Sequence, residues 1–387
     1  MKINQTNLNE LLERGVENIY PDKNELKKIL LTNHRLRIYQ GFDPTGPTLH
    51  LGHVAGLLKM RQFQDLGHKI IILIGDFTAQ IGDPDKKAVR TQLKPEEVKN
   101  NLKNYRQQIG KILNLKKTEI VFNNKWLSKI KLPEILKIAS EFTVSQIMER
   151  DMFQERLKSN LPIYLHEFFY PLMQGYDSVF LKADLEIGGN DQTFNMLTGR
   201  TMAKHRNQEK MVMSIKLLTD SGGKKMGKTE GNMITFNDKP GDIFGKVMSF
   251  NDQLMPLAFE LYSNKSLTTV KKNINQNPRD AKLELAEIIT SIFYNQSEAN
   301  KAKDQFTKTF SLKEPTGIKT IKIKKGMLLI DILLKQKLVS SKSDFRRLVN
   351  SGGVTINKEK ISDDKIKINN DCLIKIGKKK FIDLKIR

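Results

Sequence analysis

The sequence predicts an α/β protein in which a parallel sheet carries the chemistry, followed by a helical domain and a small, basic α+β domain. Three observations predict this. Over residues 1–220, short apolar runs alternate with long helical patterns, the arrangement that builds a parallel sheet. Residues 221–310 read mostly as helix, and 311–325 as a Lys-rich linker containing Pro315 and Gly317. Residues 311–387 carry 20 Lys and Arg against 8 Asp and Glu, about half of the formal net charge of +23 in the last fifth of the chain. The final 326–387 then read as a separate compact unit.

At ~150 residues per domain, 387 residues leave room for two or three domains, each with its own core. A hydrophobic fraction of 39% and a charged fraction of 28% fit a folded globular protein and argue against disorder. The longest clean apolar run, Ile70 to Ile74, is far too short to cross a bilayer. Met1 to Gln5 lack the apolar stretch of a signal peptide, so a cytoplasmic location and no membrane partner are expected. The single cysteine, Cys372, excludes an intrachain disulfide and a Cys-based zinc site, which suits a reducing cytosol.

Leu36 to Gln40 alternate like a strand and run into Gly41, Asp43, Pro44, Gly46 and Pro47, a turn-rich loop. Gly52 to Leu66 predict a helix, closed by Gly67 at the position past its end. Lys69 to Gly75 form a continuous apolar run of the buried parallel-strand type. Further strands are expected at Glu119–Phe122, Asp184–Ile187 and Met211–Leu218. Ligands in such sheets bind beyond the carboxyl ends of the strands, so the loops after Gln40, Ile74 and Ile187 should face one cleft. In the tail, helices are expected at about Leu328–Lys337 and Lys342–Asn350, then Gly352-Gly353 and short strands.

His50 and His53 lie three residues apart at the start of the first long helix. Unpaired N–H groups and the positive dipole end favour phosphate there, and Gly52 lets a flat ligand approach the backbone. An HxxH pair is equally met as ordinary capping histidines, and zinc has no third ligand at suitable spacing, so no metal site is expected. Tyr170, Gln174 and Asp177 fall at i, i+4 and i+7, one polar stripe of a helix beside Phe168, Phe169, Leu172 and Met173. Polar groups among apolar ones need partners, and a substrate can supply them. Lys225-Met226-Gly227-Lys228-Thr229 sets two lysines in a glycine-containing loop, a string that by itself is most often a solvated loop.

In combination these motifs resemble a known family. Tyr39-Gln40-Gly41-Phe42-Asp43-Pro44-Thr45, followed by His50-Leu51-Gly52-His53, resembles the HIGH signature of class I aminoacyl-tRNA synthetases, above all the tyrosyl type. Lys225 to Thr229 is similar to the second class I signature, KMSKS, with Gly227 and Thr229 replacing its serines. Glu186-Ile187-Gly188-Gly189-Asn190-Asp191-Gln192 resembles the ribose-binding segment. The stretch Ser343-Asp344-Phe345-Arg346-Arg347, with Gly352-Gly353-Val354-Thr355-Ile356-Asn357, resembles the S4 RNA-binding domain.

The resemblance implies a Rossmann-like catalytic domain over 1–220, the signature loop and helical domain over 221–310, and an S4-like domain over 326–387. It implies activation of tyrosine with ATP and Mg²⁺, then transfer to tRNA(Tyr), by a homodimer joined near 130–165. It assigns catalysis to Thr45, His50, His53, Lys225 and Lys228. Tyrosine would be held by Tyr39, Thr78, Asp83, Tyr170, Gln174, Asp177 and Gln192. ATP would meet Gly41, Asp43, His50, Gly52, His53, Gly188, Gly189, Asp191 and Lys228, and RNA would meet Lys342, Arg346 and Arg347. Glu186 stands where many family members carry Gln, and Gln40 where some place a small ribose-contacting residue. Three rivals remain at this point: the tryptophanyl type, an S4-bearing RNA-binding or RNA-modifying protein, and a nucleotidylyltransferase. Tyr39 and Asp177, two groups suited to a phenol, speak against the first. The paired nucleotide signatures speak against the second, and the amino-acid stripe and tail against the third.

Overall fold

Apolar runs short enough for strands settle at the centre of the first unit. In the computed structural model, β2 (Arg37–Phe42), β3 (Lys69–Ile74), β4 (Thr118–Phe122), β5 (Leu185–Gly189) and β6 (Met211–Ile215) form a parallel sheet. Ile70 to Ile74 are all buried, as a strand covered on both faces requires. A sixth strand, β1 (Val16–Tyr20), adds antiparallel to β6, giving the order β1-β6-β5-β2-β3-β4. The structure describes residues 5–32, 34–84, 92–218, 233–310, 319–336, 338–357, 359–377 and 380–386.

Met211–Leu218 is expected as one strand, but the ladder ends at Ile215. Lys216 N then bonds Gly15 O, and the chain turns towards the cavity described below. The first long helix spans Leu51–Asp65, and Gly67 takes the φ of +93° that lets the chain leave it. Helices Pro240–Met248, Met255–Tyr262 and Pro278–Phe293 belong to the same compact unit as the sheet, Met1–Lys303. Tyr262 Oη donates to Leu51 O and Lys111 Nζ to Phe293 O, so the helical region is bonded directly to elements that flank the sheet.

Asp304–Arg387 form the second unit. Its helices Leu329–Lys335 and Lys342–Asn350 pack Leu329, Leu333, Phe345 and Val349 against Ile374, Ile382 and Leu384 of a five-stranded sheet. Ser341 caps the second helix through Asp344 N, and Gly352, at φ +67°, turns the chain into Val354–Ile356.

Lys59 makes a testable feature of the first unit. It is buried on the Leu51–Asp65 helix and donates to Leu11 O and Arg14 O. Burial lowers its pKa from 10.5 to about 7. The unfolded chain therefore binds more protons between those values, and stability rises as pH climbs from about 7 towards 10.5. Thermal melts across that range should show the rise in the native protein and a flatter profile in Lys59→Met. An equal slope in both would contradict the assignment.

Candidate active site

Strand order reverses about β2: the chain moves to β3 and β4 on one side and to β5 and β6 on the other. A crevice opens at such a point beyond the carboxyl ends. It is a cavity of about 760 Å³, lined from β2 and its loop, from Gly75 to Asp83, from Glu186 to Gln192 and from Tyr170, Gln174 and Asp177. All the residues expected to meet ATP or tyrosine line it, except Lys225 and Lys228, which lie outside the described residues. The flanks of their segment, Lys216–Leu218 and Met233–Ile234, line the same cavity. Ile234 O accepts from Leu51 N at 2.8 Å, which pins the second flank to the start of the first helix.

At that helix start, His50 is the N-cap. Its Nδ1 accepts from Gly52 N at 3.2 Å, and its own N donates to His53 Nδ1 at 3.1 Å. With both Nδ1 atoms accepting, each neutral ring carries its proton on Nε2 and is a donor there. The ring centroids are 3.8 Å apart, so two such donors are set side by side at the positive end of a helix dipole. Thr45 precedes them on the loop that leads into the helix, its N bonded to Asp43 O.

The opposite end is polar and buried. Tyr39 is fully buried on β2, and its hydroxyl is raised well above the usual phenol range by burial and by the charges of Glu186 and Asp177. Asp177 Oδ1 accepts from Trp126 Nε1 at 2.7 Å, and Oδ2 from Asn123 Nδ2 at 3.0 Å. Burial raises the Asp177 carboxyl well above its ordinary range, against those two bonds. Asn123 Nδ2 also reaches Thr78 Oγ1 at 3.1 Å, and Thr78 Oγ1 donates to Asp43 Oδ1 at 2.8 Å. Tyr170 Oη donates to Asp43 Oδ2 at 2.8 Å. Gly75 must be glycine, because a Cβ there would fall 1.9 Å from Asp43 Oδ1.

Asp83, Gln174 and Gln192 meet at the mouth of this pocket. Gln192 Nε2 donates to Asp83 Oδ2 at 2.9 Å, and Asn195 Nδ2 donates to Gln174 Oε1 at 2.9 Å. Arg150, itself buried, donates to Asp83 Oδ1. Asn123, Trp126, Arg150 and Asn195 are the participants that sequence reasoning missed. Only Asn195 left a signal: it stands three residues after Gln192, hence on the same helical face.

In the second unit, Lys342, Arg346 and Arg347 are exposed on one helix. Arg346 is ion-paired to Asp364 and Arg347 to Asp344. Exposed pairs of this kind are worth ~0–1 kcal/mol, so either arginine can trade its carboxylate for a phosphate.

A phosphate-ready helix N-terminus facing a polar, amino-acid-sized pocket across a switch point is what an amino-acid-activating enzyme of class I needs. The family of tRNA synthetases class I (W and Y) matches residues 31–311, and the S4 domain family matches 327–369; the chain belongs to that synthetase family. Its curated relatives carry the tyrosine name. The tyrosine–tRNA ligase of Carboxydothermus hydrogenoformans is 43% identical over 97% of each chain, and that of Aquifex aeolicus 41% identical over 96% of each. In fold the chain is similar to a C-terminally truncated mitochondrial tyrosyl-tRNA synthetase of Aspergillus nidulans. That likeness has a TM-score of 0.66 at 21% identity, covering 79% of this chain and 95% of that one.

Proposed function

We infer that the chain is a tyrosine–tRNA ligase, and the observation that carries this is the buried Tyr39–Asp177 pair at the floor of the cavity. A phenol hydroxyl can donate to Asp177 and accept from the Tyr39 hydroxyl, whereas an indole N–H only donates and leaves the buried Tyr39 hydroxyl without an acceptor. The tyrosine carboxylate attacks the α-phosphorus of ATP, the bond to the bridging oxygen breaks, and pyrophosphate leaves. A ribose hydroxyl at the 3′ end of tRNA(Tyr) then attacks the carbonyl carbon of tyrosyl adenylate, and AMP departs. No covalent bond to the protein is needed. His50 and His53 donate to phosphate oxygens through Nε2, Lys225 and Lys228 supply positive charge, and Thr45 adds a hydroxyl at the same loop.

Asp191, after β5, accepts from the ribose diol beside Gly188 and Gly189. Asp83 and Gln174 take the substrate ammonium with Tyr170, and Gln192 lies nearest the carboxylate. Among the described residues no group of three or more His, Cys, Asp or Glu would hold a metal ion. Mg²⁺ fits here as an ion carried in on the triphosphate, a mode it commonly uses. A homodimer is supported by an apolar surface over 132–165, where Leu132, Leu136, Val144 and Leu165 are exposed. The basic second unit then takes the tRNA through Lys342, Arg346 and Arg347.

Tyr39→Phe tests the pocket. Losing one partner of a buried hydroxyl costs about 1–3 kcal/mol. The ratio of kcat/KM for tyrosine over phenylalanine should fall by roughly ten- to a hundredfold. An unchanged ratio would mean that Tyr39 does not read the hydroxyl.

A further inference from the structure

Beside the amino-acid pocket lies a buried charged pair to which the adenylation chemistry assigns no role. Glu186 is on β5, and Lys210 immediately precedes β6; their side chains are 3% and 1% exposed and form an ion pair. Parallel pairing of Leu185 with Met211 brings the two together. Lys210 Nζ donates a second bond to Met196 O at 3.1 Å. Room for the ammonium exists because residue 199 is glycine: a Cβ there would fall 2.5 Å from Lys210 Nζ. Burial lowers the Lys210 pKa, and the charge of Glu186 opposes that shift.

The second carboxylate oxygen points the other way. Glu186 Oε1 accepts from Gln174 Nε2 at 3.0 Å, and Gln174 Oε1 accepts from Asn195 Nδ2 at 2.9 Å. Asn195 Nδ2 also reaches Asp83 Oδ1 at 3.3 Å. One line of bonds thus runs from Lys210 through Glu186, Gln174 and Asn195 to Asp83. A primary amide can face either way, but a carboxylate only accepts, so Glu186 takes the NH₂ of Gln174 and turns its carbonyl oxygen towards Asn195 and Asp83. A substrate ammonium has three donors and needs acceptors on that side.

We propose that the Lys210–Glu186 ion pair is a positioning device for the ammonium group of the amino-acid substrate, fixing Gln174 with its carbonyl oxygen on the Asp83 side. This rests on the reading of the cavity as a tyrosine site. Lys210 supplies the charge that a buried carboxylate requires, because an uncompensated one is strongly unfavourable. A glutamine at 186 would satisfy Gln174 in either orientation and release the lock. Neither Lys210 nor Glu186 meets the reacting atoms, so both act through Gln174.

The test uses the full chain with Lys210→Met and, separately, Glu186→Gln, which keeps the side-chain volume. ATP–pyrophosphate exchange gives kcat and the KM values of tyrosine and ATP. Competitive inhibition by 3-(4-hydroxyphenyl)propionate reports a ligand that keeps the phenol and carboxylate but has no ammonium. In each folded variant the tyrosine KM should rise about tenfold or more, with kcat and the ATP KM within about threefold, because the lost contact binds ground and transition states alike. The Ki of the propionate should change by less than about threefold, because the pair reaches the phenol end only through its charge on Tyr39. General damage to the pocket would weaken both ligands together, and that result, or an unchanged tyrosine KM, would overturn the proposal. If Lys210→Met does not fold, Glu186→Gln is read by the same criterion. Native protein that shows no tyrosine-dependent exchange would overturn the functional reading itself, whereas native exchange with unmoved variants would overturn only the positioning role.

Discussion

His50→Asn and Lys228→Ala should each slow tyrosyl adenylate formation by roughly 10²–10³-fold, about 3–4 kcal/mol of lost charge stabilisation per donor. Asparagine is the better probe at position 50 because it retains an N-cap acceptor. The Nδ1 bond to Gly52 N is thus replaced while the Nε2 donor is lost. The loss should fall on the single-turnover rate more than on the KM of ATP, since the donors meet charge that develops as pyrophosphate leaves. Rapid-quench measurement of adenylate, with thermal melts to verify the fold, makes the comparison. Near-native rates in both variants would remove these residues from the chemistry.

Deletion of residues 326–387 should separate tRNA charging from amino-acid activation. All the proposed ATP and tyrosine contacts precede residue 229, and those within the described residues lie in the Met1–Lys303 unit. Tyrosine-dependent exchange should therefore persist in the truncated protein at close to its full rate. Aminoacylation should collapse, and its dependence on salt should flatten, because each lost phosphate contact removes about 0.7–0.9 from the slope of log affinity against log salt. Exchange and aminoacylation across a salt series, for both proteins, decide it. Loss of exchange in a folded truncation would place the tail in the active site; unchanged charging would show that it does not hold the tRNA.

Local chemistry was the legible part of this sequence. Ile70 to Ile74 read as a buried parallel strand because burial on both faces removes the polar alternation, whereas β1, an edge strand with Glu17 and Asn18 exposed, left no such mark. His50 and His53 could be placed because their relation is set within one helical turn. The partners of Asp177 could not: Asn123 and Trp126 are more than 50 residues away and arrive only because β4 ends beside the Phe169–Phe180 helix. Lys210 read as one more lysine in a Lys-rich chain. Its burial depends on the register of β5 with β6 and on the space left at Gly199, neither of which has a local signature.

The central claim is that the cavity activates tyrosine, and ATP–pyrophosphate exchange with each of the twenty amino acids tests it most directly. Exchange should be stimulated by tyrosine alone, with phenylalanine lower by several orders of magnitude and tryptophan at background. Exchange led by tryptophan would contradict the assignment of Tyr39 and Asp177 as readers of a phenol. Exchange with no amino acid at all, from folded protein supplied with ATP and Mg²⁺, would contradict the function itself.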